Sequence, residues 1–160
     1  YILFKFSNRT STGIAGSNST FADTDFPLFR FADVYLMYAE AQIRKDGATK
    51  GKNEKNANTT SIGYINELRV RANNGSTSAN VGAGDVDLQF IIDERARELH
   101  WEGHRRQDLI RFNKFTGGNY NWAWKGNGVN GIALPQHFKI FPIHPATLAS
   151  NPNLTQNLGY

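Results

Sequence analysis

Cysteine is absent from this chain of 160 residues. The absence excludes disulfide frameworks, thiolate catalysis and zinc sites with cysteine ligands. Long apolar runs are absent too, since no stretch approaches the roughly 20 apolar residues that a membrane-spanning helix requires. The sequence also has no charged leader, no small-residue cleavage site and no initiator methionine before its first apolar run. We therefore expect a globular piece of a longer protein, in which any targeting sequence would lie upstream.

The charge balance is basic, with a net charge of +4 and a pI near 9.4. A basic chain can bind nucleic acid, so the distribution of its charges matters. The basic residues are densest between residues 94 and 111, where five arginines alternate with four carboxylates. These carboxylates would repel a phosphate backbone. The sequence thus predicts that nucleic acid is not a partner.

The first half of the sequence predicts two helices. Residues 28–44 are apolar on almost every side, which indicates a buried helix. Residues 46–47, an Asp-Gly pair, are expected to end it, because glycine commonly follows the last residue of a helix. Thr60 or Ser61 can cap a second helix, which the Asn-Asn-Gly sequence at residues 73–75 stops.

A third helix is predicted to begin after Asp85, a suitable N-cap. Gly103 is expected to interrupt or bend it, and residues 105–115 form a fourth helical stretch. Trp101 is expected to lie in the core. The apolar face of the third helix consists of Leu88, Ile92, Ala96 and Leu99.

The connections between these helices are long and rich in glycine, asparagine, serine and threonine. They cover residues 7–25, 46–59 and 116–136. Loops longer than about 12 to 15 residues in a compact domain are usually functional or disordered. Near the end of the chain, residues 138–142 form a short apolar run that is either a strand or an extended segment.

Four blocks of the sequence, in order, resemble the signature motifs of the SusD/RagB family. The first has the pattern Arg-x-Ala-Asp followed by Tyr-Ala-Glu-Ala, and the third has Glu-Arg, Glu-Leu, Glu-Gly-x-Arg and Asp-Leu-x-Arg in succession. The last resembles the closing Asn-Pro and Gln-Asn-Pro-Gly-Tyr, with Leu158 in place of a proline and His144 within what is often a Pro-Ile-Pro turn. The blocks lie at residues 26–41, 65–72, 92–111 and 142–160.

The resemblance implies a mainly α, SusD-like fold, associated with tetratricopeptide-like helices, in which residues 1–160 are a C-terminal domain with long irregular loops. It also implies a surface-exposed lipoprotein of the bacterial outer membrane, anchored by a lipid on the missing N-terminal part. Members of the family pass glycans, or in some cases peptides, to a TonB-dependent, SusC-like transporter. The resemblance thus implies a binding protein without a cofactor and not an enzyme.

The carboxylates of the third helix could instead suggest catalysis. Glycosidases need two carboxylates on opposite sides of a sugar. Glu94, Glu98 and Glu102 follow one another along one helix and are flanked by arginines, so we interpret them as ion-pair partners that hold helices together. Arg30 and Asp33 are interpreted in the same way.

Two further groups of side chains are candidates for a metal site or for ligand contacts. His100, His104 and Asp108 have a spacing that a metal could use, but Gly103 lies between the two histidines, so we predict a polar surface and no metal. Tyr35 and Tyr38 are expected to be core residues rather than ligand contacts.

The loop at residues 117–128 has the composition of a carbohydrate-binding surface. Aromatic faces stack on the C–H faces of sugar rings, and amide side chains hydrogen-bond to the hydroxyls. One alternative is that the tryptophans anchor the loop to the domain. Another is that the loops contact the transporter or other lipoproteins, while the missing half holds the ligand. The predicted ligand-binding residues are Asn119, Tyr120, Asn121, Trp122 and Trp124.

Overall fold

The computed structural model describes residues 5–50 and 56–160. Two parts of the predictions, the apolar run at residues 1–4 and the middle of the connection 46–59, lie outside them. The described residues contain no β-strand, only isolated bridges between Arg9 and Ala15 and between Gly117 and Leu134. This confirms the mainly α prediction. The helices are α1 (Phe31–Lys50), α2 (Thr59–Ala72), α3 (Leu88–Glu98), α4 (Arg105–Arg111) and α5 (Pro145–Ser150).

The chain divides into two compact units, Tyr1–Arg105 and Arg106–Tyr160. In the first unit, α2 and α3 both pack against α1. Burial of their aliphatic side chains removes apolar surface from water and holds the three helices together. The buried aliphatic residues of the helices and the turn that follows them are Ala32, Leu36, Ala39, Ile43, Ile65, Leu68, Ile91, Ile92 and Leu99.

Helix α1 differs from its prediction in length and in burial. It continues through Gly47 to Lys50, because glycine inside a helix costs only about 1 kcal/mol relative to alanine. It is also not buried all round. Since α2 and α3 cover only part of its surface, an apolar stripe is exposed, and Tyr38 lies at the edge of this stripe next to α2. This stripe consists of Phe31, Val34, Met37 and Tyr38.

The caps of α2 and α3 are not the residues that the sequence indicated. Asn58 caps α2 by accepting a hydrogen bond from the backbone N–H of Ser61 at 2.8 Å. Asp87 caps α3 by accepting one from the N–H of Phe90 at 2.7 Å. Asp85 instead belongs to a short 3-10 turn. In both cases a side-chain oxygen satisfies an N–H of the first turn, which has no partner within the helix.

The turn between α3 and α4 confirms one prediction and corrects two. Gly103, at φ +78°, separates the helices as expected. Helix α4 ends at Arg111 instead of Phe115, because Asn113 adopts a left-handed conformation. Trp101 was expected in the core, but its side chain is 67% exposed and its φ is +64°. The left-handed backbone at this position turns the indole out of the helical packing.

The end of the second unit is held by the last residues of the chain. Gln156 makes hydrogen bonds to both the N–H and the carbonyl of Ile143, at 2.8 and 2.9 Å. The Tyr160 hydroxyl donates to the carbonyl of Ile140 at 2.8 Å. Residues 138–142 were expected to be a strand or an extended segment, but Phe138 and Lys139 belong to a 3-10 helix, Gln136–Lys139. These hydrogen bonds hold the residues after it without forming a strand. His144 caps α5 by accepting from the N–H of Ala146.

A buried carboxylate, Glu102, joins the start of α1 to the turn after α3. The guanidinium of Arg30 donates to both of its oxygens, at 2.6 and 2.7 Å, and Lys5 pairs with it as well. Arg30 also donates to the carboxylate and the carbonyl of Glu98, each at 2.6 Å. Burial raises the pKa of Glu102, but the hydrogen bonds and charges of Arg30 and Lys5 outweigh it and hold the pKa below its ordinary value.

The two carboxylates of α3 that were predicted as ion-pair partners, Glu94 and Glu98, are also paired with arginines. Glu98 binds Arg71, at 2.5 Å, in addition to Arg30. Glu94 accepts hydrogen bonds from Arg69 on α2 and Arg97 on α3, at 2.8 and 2.9 Å. These contacts confirm the interpretation of Glu94, Glu98 and Glu102 as ion-pair partners. The prediction that all three lie along one helix is wrong for Glu102, which lies in the turn after α3.

Asp33 and Arg95 form a buried ion pair between α1 and α3. Arg95 Nη1 and Asp33 Oδ1 are 2.8 Å apart, and both side chains are buried. These two atoms have no hydrogen-bond partner with acceptable geometry. Between these two atoms the contact is therefore an ion pair and not a well-directed hydrogen bond.

Replacing Arg30 with methionine is expected to lower the free energy of unfolding by about 3 kcal/mol, because it leaves a buried carboxylate without its main partner. The matched control is Arg71→Met, whose side chain is 60% exposed. That substitution is expected to cost less than about 1 kcal/mol. Urea denaturation of both variants measures the difference. Equal losses would contradict the special role of Arg30.

The lowered pKa of Glu102 predicts a dependence of stability on pH. The unfolded group takes up its proton near 4.5, whereas the folded group does so at a lower pH. The stabilisation is therefore complete above about pH 4.5 and is lost as the pH falls through the folded pKa. Glu102→Gln should flatten the acid limb of a stability–pH curve measured by urea denaturation. Glu67→Gln, at an exposed position of α2, should leave the curve as it is.

Candidate functional site

The aromatic loop, residues 117–134, is a closed structure within the second unit. The N–H of Gly117 donates to the carbonyl of Leu134 at 2.8 Å and joins its two ends. Inside it, the N–H of Trp124 donates to the carbonyl of Gly128, and the N–H of Ile132 donates to the carbonyl of Lys125, both at 3.0 Å. These bonds fix the backbone of a loop that has no regular helix or strand to order it.

Two glycines allow the loop to close. Gly131 has φ +75°, and a Cβ atom there would lie 2.4 Å from the carbonyl oxygen of Trp122. Gly126 has φ +61°, and a Cβ atom there would lie 2.6 Å from the side chain of Ile132. Any other residue would force these segments apart. The glycine content that suggested a flexible loop therefore serves a compact one.

The aromatic side chains of this loop face solvent to different degrees. Trp124 is 66% exposed and Trp122 is 42% exposed, whereas Tyr120 is half-buried. The rings of Tyr120 and Trp122 meet edge to face, with their centroids 6.0 Å apart. Trp124 has a left-handed backbone at φ +68°, a conformation that is uncommon for a bulky side chain. The amide-bearing residues Asn119 and Asn121 are both exposed.

This arrangement can bind a ligand that has both apolar faces and hydroxyl groups. The exposed indole faces offer apolar area, and the neighbouring amides offer both donors and acceptors. All five residues predicted as ligand-binding lie in this one closed loop. The rings do not form a single flat surface, because Tyr120 and Trp122 are inclined at 63°.

Sequence reasoning missed one residue of this site, Lys125. Its side chain is buried, and its ammonium group donates to the carbonyl of Tyr120 at 2.7 Å. The same group lies 4.9 Å from the centroid of the Trp122 ring. Burial lowers the pKa of Lys125 from its ordinary value. The available signal was its position: it is the only charged residue between Phe115 and Phe138.

The other sequence candidates do not assemble into a site. His100 is exposed beside Trp101, and Asp108 is buried and paired with Arg111 at 2.8 Å. Across residues 5–50 and 56–160, no three histidine, aspartate or glutamate side chains are grouped to hold a metal ion. Within the same ranges, no helix is long and apolar enough to span a membrane.

The two tyrosines of α1 differ from each other. Tyr35 is half-buried and stacks on Tyr64 of α2, with centroids 4.3 Å apart. Tyr38 meets Tyr64 edge to face at 5.3 Å, but it remains 43% exposed, so the expectation of a core residue is wrong for it. Both rings contribute to the contact between α1 and α2.

Comparison with known proteins gives consistent matches. The chain is 40% identical over 158 residues to the starch-binding protein SusD of Bacteroides thetaiotaomicron, which covers 99% of this chain and 26% of that protein. It is 34% identical over 146 residues to the SusD-like protein P38 of Formosa agariphila, covering 86% of this chain and 25% of that protein. The chain thus spans about a quarter of the length of these relatives.

Solved structures agree with these matches. A SusD superfamily protein from Parabacteroides distasonis superposes with a TM-score of 0.61 and 27% identity, over 91% of this chain and 29% of that one. A second, from Bacteroides vulgatus, superposes with a TM-score of 0.59 and 24% identity, over 98% and 34%. The family model of the SusD family matches residues 1–160. The chain belongs to the SusD family.

Proposed function

We propose that this protein binds glycans without cleaving them, and that the aromatic loop is part of the binding surface. The observation that carries the proposal is the exposure of Trp122 and Trp124 on a loop whose backbone is fixed by hydrogen bonds. A fixed loop keeps its aromatic faces available without an ordering cost upon binding. The proposed ligand contacts are Asn119, Tyr120, Asn121, Trp122 and Trp124.

The family supports the glycan as ligand. One relative, 40% identical, is a starch-binding protein by name. By the same reasoning, we propose that the whole protein is a lipid-anchored protein of the outer-membrane surface that delivers its ligand to a TonB-dependent, SusC-like transporter. Delivery requires release as well as capture, so a shallow surface of moderate affinity suits this role better than a closed pocket.

The carboxylate contacts support binding over hydrolysis. A glycosidase needs one carboxyl group as an acid and another as a base or nucleophile, with a sugar between them. Glu98 and Glu102 are instead held by the same guanidinium, that of Arg30. Glu94 is held by Arg69 and Arg97. These groups are engaged with arginines.

A protein-interaction role is the second candidate, and one observation favours it. Val129 and Ile132 are 63% and 48% exposed on the same loop as the tryptophans. Exposed aliphatic side chains add nothing to the recognition of sugar hydroxyls but are common in protein interfaces. On this reading the loop contacts the transporter or another surface lipoprotein, and the rest of the polypeptide holds the ligand.

Trp122→Ala and Trp124→Ala are each expected to weaken glycan binding about tenfold in the whole protein, because each removes an aromatic contact worth roughly 1 to 1.5 kcal/mol. Isothermal titration with malto-oligosaccharides and a wider glycan panel measures the change. Trp101→Ala is the matched control for Trp124→Ala, because Trp101 is as exposed as Trp124 and is also left-handed but lies in the first unit. It should leave the affinity unchanged.

The same variants separate the two candidate functions. If both loop variants keep their glycan affinity but associate more weakly with the transporter in a pull-down, the loop has the interaction role and not the glycan-binding role. Turnover of any glycan on the panel that is lost in Glu94→Gln or Glu98→Gln would contradict the non-catalytic proposal.

A further inference from the structure

Lys125 is a buried charge in a loop that otherwise carries none. From Phe115 to Phe138 it is the only residue with a formal charge, and its exposed fraction is 2%. Lysine is almost never fully buried unless it is paired, because removing an ammonium group from water is costly. Its burial within an exposed loop of a small unit therefore requires a structural reason.

The two contacts of its ammonium group supply that reason. The first is the hydrogen bond of 2.7 Å to the carbonyl of Tyr120, and the second is the face of Trp122 at 4.9 Å. A cation within about 6 Å of an aromatic centroid is attracted by the ring, more strongly when water is excluded. Both partners belong to residues of the proposed ligand site. The ammonium group thus binds one site residue through its backbone and another through its ring.

The backbone of Lys125 is fixed to the same loop independently of its side chain. Its N–H donates to the carbonyl of Trp122 at 3.1 Å, and its carbonyl accepts from the N–H of Ile132 at 3.0 Å. The side chain consequently starts from a defined point and reaches back across the loop. Its ammonium group can therefore hold the Tyr120 backbone and the Trp122 ring in a defined position.

We propose that Lys125 is a positioning residue, a buried cation that fixes the Tyr120 backbone and the Trp122 ring in the orientation that a ligand meets. Its effect on affinity rests on the proposed glycan-binding function, whereas its effect on the conformation of Trp122 does not. Substitution should therefore change the environment of Trp122 first and the affinity as a consequence.

The charge of Lys125 gives the proposal a distinctive signature. Burial lowers its pKa below the ordinary value of 10.5. As the pH rises through the lowered pKa, the ammonium group loses its proton and with it the attraction to the Trp122 ring. The other titratable groups here are the Tyr120 hydroxyl and Lys114, whose ammonium lies 4.9 Å from the Tyr120 centroid. Tyr120→Phe removes the hydroxyl but keeps the ring and the carbonyl.

The test is fluorine NMR of the whole protein labelled with 5-fluorotryptophan. The Trp122 resonance is assigned by its loss in Trp122→Phe and is followed from neutral to alkaline pH in the Tyr120→Phe background. We expect the chemical shift of the Trp122 resonance to change with pH, with a midpoint below pH 10.5. We expect Lys125→Met to abolish this change and to shift the resonance at neutral pH. The control is Lys139→Met, which removes an ammonium group that binds Asn113 at 2.9 Å and should change neither.

A Trp122 resonance that is the same with and without Lys125, and shows no alkaline transition, would overturn the proposal. If Lys125→Met folds poorly, the alkaline titration of the Trp122 resonance in the protein that retains Lys125 still tests the proposal. Binding is measured in parallel, and Lys125→Met should lower glycan affinity roughly three- to tenfold.

The affinities distinguish the two proposals. If Trp122→Ala weakens binding but Lys125→Met does not, the positioning role is overturned and the glycan-binding function stands. If neither variant weakens binding while the Trp122 transition depends on Lys125, the glycan-binding role of the loop fails and the conformational role of Lys125 stands.

Discussion

The bidentate hydrogen bonds from the Arg30 guanidinium to the Glu102 carboxylate join two segments that lie 72 residues apart in the sequence. Glu102 is buried at the turn after α3, and Arg30 immediately precedes α1. A buried carboxylate is tolerated only when its charge and its lone pairs are satisfied, and the planar guanidinium does both. The same guanidinium also binds Glu98, so one side chain links the start of α1 to both α3 and the turn after it. The hydrophobic contacts of α2 and α3 with α1 complete the packing of the same helices.

Buried charges are satisfied in two different ways, and both occur in the second unit, where Asp108 pairs with Arg111. In the first unit, carboxylates pair with arginines across helices, which ties regular elements together. In the second unit, Lys125 is satisfied by a carbonyl and an aromatic face, both contributed by the loop that contains it. The first arrangement builds a scaffold, whereas the second orders an exposed loop. This division explains why the most distinctive motif, at residues 92–111, is separate in the sequence from the proposed ligand contacts at residues 119–124.

Sequence reasoning found the residue types of the proposed site but not their geometry. Aromatic and amide residues in a glycine-rich segment were enough to single out Trp122 and Trp124. No sequence feature distinguishes the exposed Trp101 from a core residue, because its exposure depends on the left-handed turn before Gly103. Nor does any sequence feature indicate that Lys125 is buried, since lysine in a polar loop is ordinarily solvated.

The amino-acid sequence by itself determined the family and the presence of helices, because motif order and helical periodicity are local properties of the chain. It also predicted the ion-pair role of Glu94, Glu98 and Glu102, because each of them is close in sequence to arginines. It did not identify most of their partners, since Arg30, Arg69 and Arg71 belong to other elements. Only the tertiary structure decided which face of α1 is buried and which polar residues cap α2 and α3. The physical reason is that burial depends on contacts between residues far apart in sequence. Capping is local, but several residues near the start of each helix are equally suitable as caps.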